Sequence, residues 1–347
     1  MNVFVTGATG FVGHEMLRQL PAAGHSVRAL VRPGSEKKLP QGQQIKLHHG
    51  DACDPDSLKG ALEGCDAVIH LVGIIREFPA KGITFHKLHV EATRNLLAAA
   101  AAQGVKRYLQ MSANGTREGA TTPYHQTKWQ AEQAVRASAL DWTIFRPSLI
   151  YGAGGEFVSM ISDLLSKFPM VPVIGDGQYR MSPVAVEDVA AGFVRALQTP
   201  ASIGQIYHCC GPEEVSYDQL LDAFGQAMGK DHVRKLHQPL ALMKPAIALM
   251  ESLPAFPITT GQLTMLLEGN VCDPGKWSAA FGLTPTPLAE GLRRAVKPAC
   301  ALSCCTNAKG PAASASGPLN VSHEQSKRQP KFFNAESERE QSHRETA

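Results

Sequence analysis

The chain has few of the features that assign a protein to a nucleic-acid or membrane class. Its 34 Lys and Arg residues balance 31 Asp and Glu residues to a net charge of only +3, and no basic stripe is interleaved with aromatic side chains. Nucleic acid is therefore not a favoured partner. No apolar run reaches the roughly 20 uninterrupted residues that span a bilayer, and because Met1 is almost within the first apolar strand we expect no leader. We expect a cytoplasmic protein.

The cysteines show no metal-binding or disulfide pattern. The eight cysteines contain no repeated CxxC pair and have no histidines at zinc-ligand spacing. A chain without an export signal normally keeps its thiols reduced. We therefore expect eight ordinary thiols and no metal site.

Hydrophobic residues are abundant and periodic. They make up 44% of the 347 residues, enough for a large core. Short β-prone runs alternate with helical segments such as residues 57–63 and 85–103. The β-prone runs lie at residues 1–5, 27–31, 45–49, 67–72, 108–111 and 143–145. This alternation predicts an α/β fold with a doubly wound parallel sheet covered on both faces.

The most specific motif follows the first strand. Residues 6–13 read TGATGFVG and lead into an amphipathic helix that Pro21 and Gly24 should end. Glycines at this spacing allow a sharp turn, a bare backbone and close packing of the helix on the strand. Because N–H groups at a helix start attract phosphate, the motif predicts a dinucleotide site. A turn that merely needs space is the alternative.

A second cue concerns the type of dinucleotide. Arg32 follows the strand at residues 27–31, where such folds place the group that meets the adenosine ribose. An acidic residue there suits a free 2′-hydroxyl, whereas a guanidinium suits a 2′-phosphate. We therefore favour NADP(H), with NAD(H) as the alternative. Asp51 and Ala52 follow the third strand, and Asp51 either accepts from the adenine amine or caps its own loop.

A third cue is a set of residues suited to proton transfer. Tyr124 and Lys128 lie four positions apart after a Thr-Pro pair that suits a helix start, so they should share one face. An ammonium beside a phenol lowers the phenol pKa from about 10 and makes it a usable acid or base. Ser112 follows a predicted strand and would hold a substrate carbonyl. Alternatively, Ser112 and Asn114 only satisfy backbone groups in a turn.

Together these motifs resemble the extended and atypical short-chain dehydrogenase/reductases, which have a Rossmann fold. The resemblance covers residues 1–297 and includes the run FRPSLIYG at residues 145–152. Four segments resemble bacterial relatives of the nucleotide-binding accessory subunit of respiratory complex I. They are HLVGIIRE at 70–77, MSA at 111–113, DWTIFRPS at 141–148 and PVAVEDVA at 183–190.

The resemblance implies roles for the matching residues. The expected catalytic residues are Ser112, Tyr124 and Lys128. The expected cofactor-binding residues are Gly7, Thr9, Gly10, Phe11, Val12, Gly13, Arg32, Asp51, Ala52, Leu71, Val72, Gly73, Tyr124, Lys128, Pro147 and Ser148. Arg180 would reach an anionic substrate, and Asp188 would cap a helix rather than catalyse.

Changes in composition predict the domain boundaries. We expect a dinucleotide-binding core in residues 1–150, with returning segments near 183–208, and a smaller substrate lobe mainly in residues 151–297. This lobe should contain helices near 216–228 and 259–268. Residues 298–347 are expected to be a disordered tail, because their composition buries too little apolar surface to offset ordering entropy.

Residues 239–256 form a nearly continuous apolar segment. Lys244 and Glu251 interrupt it, which argues against a membrane-spanning helix. The segment is either a buried helix of the substrate lobe or a surface for a membrane or a quinone-like substrate.

Three functions follow from these residues. We favour an NADP(H)-dependent oxidoreductase for a carbonyl or quinone-like small molecule, because Ser112, Tyr124 and Lys128 are all present. The first alternative is a non-catalytic NADPH-binding assembly subunit of a respiratory complex, peripheral at the inner face of the membrane. The second is a nucleotide-sugar epimerase or dehydratase, which Arg32 disfavours because such enzymes hold NAD.

Overall fold

A computed structural model describes residues 1–40, 44–251, 253, 256 and 258–296. The predicted tail at 298–347 lies outside these residues. The strands are β1 (Asn2–Thr6), β2 (Ser26–Val31), β3 (Ile45–His49), β4 (Ala67–His70), β5 (Arg107–Met111), β6 (Asp141–Pro147), β7 (Ile150–Tyr151), β8 (Val171–Ile174), β9 (Arg180–Met181), β10 (Val184–Ala185), β11 (Gln205–Cys209), β12 (Val215–Ser216) and β13 (Lys235–Gln238). The helices are α1 (Phe11–Ala22), α2 (Ala92–Ala102), α3 (Pro123–Arg136), α4 (Glu156–Lys167), α5 (Val186–Ala196), α6 (Tyr217–Ala227), α7 (Leu240–Met250), α8 (Thr260–Leu267), α9 (Gly275–Phe281) and α10 (Leu288–Ala295).

The main sheet has seven parallel strands in the order β11-β6-β5-β4-β1-β2-β3. Strand order reverses between β1 and β4, and open α/β sheets bind ligands at such a switch point. Val3, Phe4 and Val5 of β1 are fully buried, as expected for a central strand covered on both faces. The order places the ends of β1, β4 and β5 side by side.

Helices cover both faces of this sheet. On one face, Leu17 of α1 and Phe193 of α5 belong to a core that includes alternate residues of β1. On the other face, Leu96 of α2 and Val135 of α3 pack with Phe4. The predicted doubly wound parallel sheet is confirmed.

Most predicted elements lie within a few residues of the observed ones. The helix predicted at 85–103 is a π-helical segment, His86–Glu91, followed by α2. Pro21 lies in the last turn of α1, as expected for a residue near the helix end. The helix predicted at 57–63 is wrong, because the segment contains only the short 3₁₀ turn Asp56–Leu58. Gly60, at φ 69°, takes a left-handed conformation that breaks a right-handed helix.

The C-terminal part forms a separate apolar cluster. Ile161 of α4, Phe224 of α6 and Leu292 of α10 are fully buried in it. The helices predicted at 216–228 and 259–268 correspond to α6 and α8. Both begin with a capping box, in which Ser216 and Thr259 accept from a backbone N–H three residues later. The predicted boundary at residue 150 stays a prediction.

The apolar segment after β13 forms an exposed helix. Ile247 is the one residue of α7 that is buried, while the side chains of Leu242 and Leu249 are 69% and 81% exposed. The interpretation of residues 239–256 as a buried helix is therefore wrong for α7, because a single residue of this helix is buried. Among the described helices, none has both the length and the apolar character to cross a membrane.

Candidate functional site

The glycine turn brings α1 unusually close to β1. Gly7 has a φ of 76°, which only glycine adopts readily, and its carbonyl accepts the Gly10 N–H at 3.0 Å. A methyl group on Gly13 would lie 2.2 Å from the Gly7 carbonyl oxygen. The turn therefore requires glycine at position 13 for its geometry.

The start of α1 has unsatisfied hydrogen-bond donors. Gly10, as the N-cap, offers no side chain, and the first turn contains no acidic residue. Within the described residues, no group accepts from the N–H groups of Phe11, Val12 or Gly13. Such a helix end is suited to an anion such as a pyrophosphate, so these residues fit the predicted cofactor.

A chain of close contacts joins the glycine turn to Lys128. A methyl group on Gly7 would lie 3.0 Å from the Leu71 carbonyl carbon, and one on Gly73 would lie 2.9 Å from Lys128 Nζ. Lys128 Nζ donates to the carbonyl of Met111 at 3.3 Å. The predicted residues after β1, β4 and β5 are therefore brought together with a lysine of α3.

Lys128 is an ammonium with few protein partners. Its side chain lies in the core, with 3% of the residue exposed. Burial lowers the pKa of Lys128 to about 8, while the charge of Glu132 one turn later acts in the opposite direction. Two of its three N–H groups have no acceptor among the described residues. Hydroxyl groups of a ribose would satisfy them.

Tyr124 lies one turn before Lys128, as predicted, in an aromatic pocket. Its ring makes edge contacts with Phe85, His89 and His125 at 5.2–5.7 Å between centroids. Burial raises the pKa of Tyr124 to about 12. The expected lowering of this pKa is therefore wrong in this structure. Lys128 hydrogen-bonds Met111 instead of the phenol, so desolvation dominates.

Ser112 lies at the end of β5, as predicted. Its N–H donates to the Phe145 carbonyl at 2.7 Å, and its Oγ is 3.4 Å from Thr116 Oγ1. In the described part of the chain it makes no hydrogen bond to Tyr124. The side chain of Asn114 donates to the Val271 carbonyl at 3.0 Å, so the backbone-satisfying alternative applies to Asn114.

The residues predicted for the adenosine side lie at the ends of β2 and β3. Arg32 is exposed directly after β2. Asp51 Oδ1 accepts the Cys53 N–H at 2.9 Å, which is the loop-capping alternative. Ala52 is buried, and its carbonyl accepts from Asn95 at 3.1 Å. A hydrogen bond from the adenine amine to Asp51 stays a prediction, and it would use the other carboxylate oxygen.

The residues predicted for the nicotinamide side lie after β6. Pro147 ends β6 and is buried. The Ser148 N–H donates to the Cys209 carbonyl at 3.0 Å, and its Oγ donates to the Asn270 carbonyl at 2.9 Å. Ser148 therefore joins the sheet to a loop after α8 that no sequence pattern had singled out.

Asp188 does not cap α5, and that expectation is wrong. Ala185 is the N-cap of the helix, and Asp188 lies inside the first turn. Its carboxylate accepts from the Thr286 N–H at 2.6 Å and from the Thr286 hydroxyl at 3.1 Å. Asp188 thus fixes the segment before α10.

Two cysteines depart from the expected reduced state. Cys210 and Cys272 form a disulfide, whereas Cys53, Cys65 and Cys209 are free. The two cysteines are 62 residues apart and belong to no recognisable sequence motif. They meet because the fold brings the end of β11 to the loop after α8. The disulfide fastens that loop beside the residues following β5 and β6.

A cavity of about 630 Å³ is lined by Thr116, whose Oγ1 is 3.4 Å from Ser112 Oγ, while Ser112, Tyr124 and Lys128 are not among its lining residues. It opens where β5, β6 and β11 end, between the sheet and the C-terminal part of the chain. Polar residues that line it include Asn114, Arg117, Arg146, Arg180, His208 and Glu214. The cavity is a candidate substrate site. His208 and Asn270 were missed from the sequence because neither belongs to a local motif.

Fold and site together define a dinucleotide-binding protein of the doubly wound class. The chain belongs to the NAD dependent epimerase/dehydratase family, whose model matches residues 3–210. Within that family it is an NAD(P)-dependent oxidoreductase of the short-chain dehydrogenase/reductase type.

Two relatives and one solved structure illustrate the similarity. The chain is 30% identical to the mitochondrial NADH dehydrogenase (ubiquinone) 1 alpha subcomplex subunit 9 of Arabidopsis thaliana, over 77% of this chain and 68% of that protein. It is 31% identical to the ceramide reductase of Caulobacter vibrioides, over 57% of this chain and 61% of that protein. The crystal structure of gox2253 matches with a TM-score of 0.67 and 29% identity, covering 84% of this chain and 96% of that one.

The glycine turn can be tested with Gly13→Ala. We expect the added methyl group to push α1 away from Gly7, to weaken NADPH binding about 10- to 100-fold and to lower the free energy of unfolding by about 1–3 kcal/mol. Fluorescence titration with NADPH and urea denaturation measure the two effects. Gly261→Ala is the matched control, because the nearest atom to its methyl group would be 3.9 Å away. Unchanged NADPH affinity in Gly13→Ala would contradict the assignment.

Proposed function

We propose that this protein is an NADP(H)-dependent reductase of a carbonyl or quinone-like small molecule. The observation that carries the proposal is the buried ammonium of Lys128, which lies against Gly73 and has two N–H groups without a protein acceptor. A buried charge persists where a ligand or partner stabilises it. The position between the glycine turn and Ser112 is suited to a nicotinamide ribose.

The protonation state of Tyr124 favours a reductive direction. The phenol, with its pKa at about 12, is protonated at neutral pH and could donate a proton in a reduction, although the raised pKa makes it a weaker acid than a free phenol. Ser112 Oγ would orient the substrate oxygen, Tyr124 would donate a proton to it, and Lys128 would stabilise the resulting phenolate. A nicotinamide cofactor supplies the hydride when bound.

Arg32 supports NADP(H) over NAD(H). It is exposed at the end of β2, the strand that pairs with β1 on the side away from β4, and no acidic residue occupies that position. An exposed guanidinium there suits the 2′-phosphate of NADP(H).

A second candidate is a peripheral nucleotide-binding subunit of a membrane respiratory complex. The exposed apolar surface of α7, with Leu242 and Leu249, supports it, as does the similarity to a plant NADH dehydrogenase subunit. Arg76 donates to the carbonyls of Glu251 and Leu253 at 3.0 Å each. The residues after α7 are thereby tied to Arg76, in the segment that follows Gly73.

The reductase proposal is tested by Tyr124→Phe. We expect turnover of NADPH with a quinone or ketone panel to fall by about 10²- to 10⁴-fold, the usual contribution of a positioned acid, while NADPH stays bound. Steady-state kinetics and cofactor titration measure the two effects. Tyr217→Phe, on α6 and outside the site, is the control and should keep full activity. A Tyr124→Phe protein as active as the wild type would contradict the assigned role.

Arg32→Glu tests the cofactor preference. The variant loses a charge-assisted hydrogen bond to the 2′-phosphate and gains a negative charge. NADPH binding should therefore weaken about 10- to 100-fold, while NADH binding should stay within a few-fold of the wild-type value. Lys46→Glu makes the same charge change at the opposite end of the neighbouring strand and should not alter the ratio. If both variants change the NADPH to NADH ratio equally, Arg32 is not the recognition residue.

The surface of α7 is tested by Leu249→Glu. We expect association with anionic liposomes, measured by flotation, to fall about tenfold or more, because one exposed Leu loses its apolar burial. Leu47→Glu, on the edge strand β3, is the control of equal charge. Wild-type protein that never floats with vesicles would exclude the membrane version of the second candidate.

A further inference from the structure

A hydrogen-bond network determines which ring nitrogen of His208, the histidine that lines the cavity, carries the hydrogen. Asn114 Nδ2 donates to the Val271 carbonyl at 3.0 Å and faces Asn270 Oδ1 at 2.8 Å. A main-chain carbonyl can only accept, so this contact identifies which amide atom is nitrogen. Asn114 Oδ1 is then the atom 2.7 Å from His208 Nδ1, and it must accept a hydrogen from it.

The remaining ring nitrogen of His208 is therefore an acceptor. With the proton on Nδ1, a neutral imidazole carries a lone pair on Nε2. Burial, with the nearby charge of Arg146, lowers the pKa of His208 and keeps the ring neutral. Within the described residues Nε2 has no hydrogen-bond partner, and His208 lines the cavity.

The positive charges of the cavity are already compensated. Arg117 lies 3.6 Å from Glu268, and Arg180 pairs with Glu214. Arg146 donates through Nε at 2.9 Å and through Nη2 at 2.6 Å to Glu132, which is fully buried. An anionic ligand would have to compete with these carboxylates for the guanidinium donors that are already in use.

Arg146 retains one donor for a ligand. Its Nη1 group makes no hydrogen bond in the described part of the chain. The cavity thus offers a donor on Arg146 and an acceptor on His208. A ligand group that matches both must itself accept and donate hydrogen bonds.

Resting on the proposed reductase function, we propose that the cavity recognises an uncharged amide or hydroxyl group next to the reducible carbonyl. His208 Nε2 accepts from the N–H or O–H of this group, and Arg146 Nη1 donates to its oxygen. His208 is thus a specificity-determining residue. Carboxylate and phosphate substrates are disfavoured, because the Nε2 lone pair repels an anionic oxygen and the guanidinium groups are already paired.

Three matched probes test this recognition. N-butyl-3-oxobutanamide carries an N–H, butyl 3-oxobutanoate replaces it by an ester oxygen, and 3-oxobutanoate is an anion. We expect the amide to bind the NADP⁺-loaded protein about tenfold or more tightly than the ester, because the ester leaves the acceptor unpaired. The carboxylate should bind most weakly. Calorimetry measures all three without requiring turnover.

Variants then assign the preference to His208. In His208→Phe the amide should lose its advantage over the ester, whose affinity should stay within a few-fold of the wild-type value. His232→Phe, an exposed histidine, is the control and should keep the wild-type preference. The comparison of probes on wild-type protein stands even where His208→Phe does not fold.

The outcomes separate this inference from the proposed function. Equal binding of amide and ester, tightest binding of the carboxylate, or no binding of any probe overturns the inference. Reduction of ester and amide at equal rates overturns it while supporting the reductase. A tenfold preference for the amide without oxidation of NADPH supports the inference and contradicts the reductase.

Discussion

The close approach of α1 to β1 is the constraint on which the site depends. With no side chain on Gly13, the first turn of α1 rests on the Gly7 carbonyl, and its N–H groups have no acceptor in the part of the chain that the structure describes. The same turn contacts the residues after β4, and Gly73 in that segment leaves the space that Lys128 occupies. A bulkier residue at any of these three glycines would separate elements that must meet for cofactor binding.

Burial of Lys128 destabilises the protein without ligand. Its pKa is about 8 in the folded state and 10.5 in the reference state, so folding disfavours the protonated form. The penalty is present in full below pH 8 and is lost as pH rises through 10.5, above which both states are neutral. At neutral pH the structure thus maintains a poorly solvated ammonium. Ribose hydroxyls would relieve this cost, which couples ligand binding to stability.

The sequence predicts what local chemistry determines. The turn after β1 is identified by three glycines and the helix that follows them, because its backbone geometry is determined within a few residues. Arg32 is identified in the same way by its position at the end of the next strand. The pKa of Tyr124 could not be predicted this way. The four-residue spacing between Tyr124 and Lys128 is visible in the sequence. The burial that raises the pKa of Tyr124 involves Phe85 and His89, which lie on another element. For the same reason the disulfide and the Asn114 network were missed: their partners are far apart in sequence.

The two unusual surfaces of the protein favour one kind of substrate. The helix α7 exposes Leu242 and Leu249, yet its end is held by Arg76, three residues after Gly73. The cavity lined by Thr116 carries several polar side chains, and its guanidinium groups are paired with carboxylates. A purely apolar quinone would leave His208 and Arg146 unpaired, whereas the uncharged polar group that we propose would pair with both. An amphiphile would match the cavity through such a head group and the exposed surface of α7 through its apolar part.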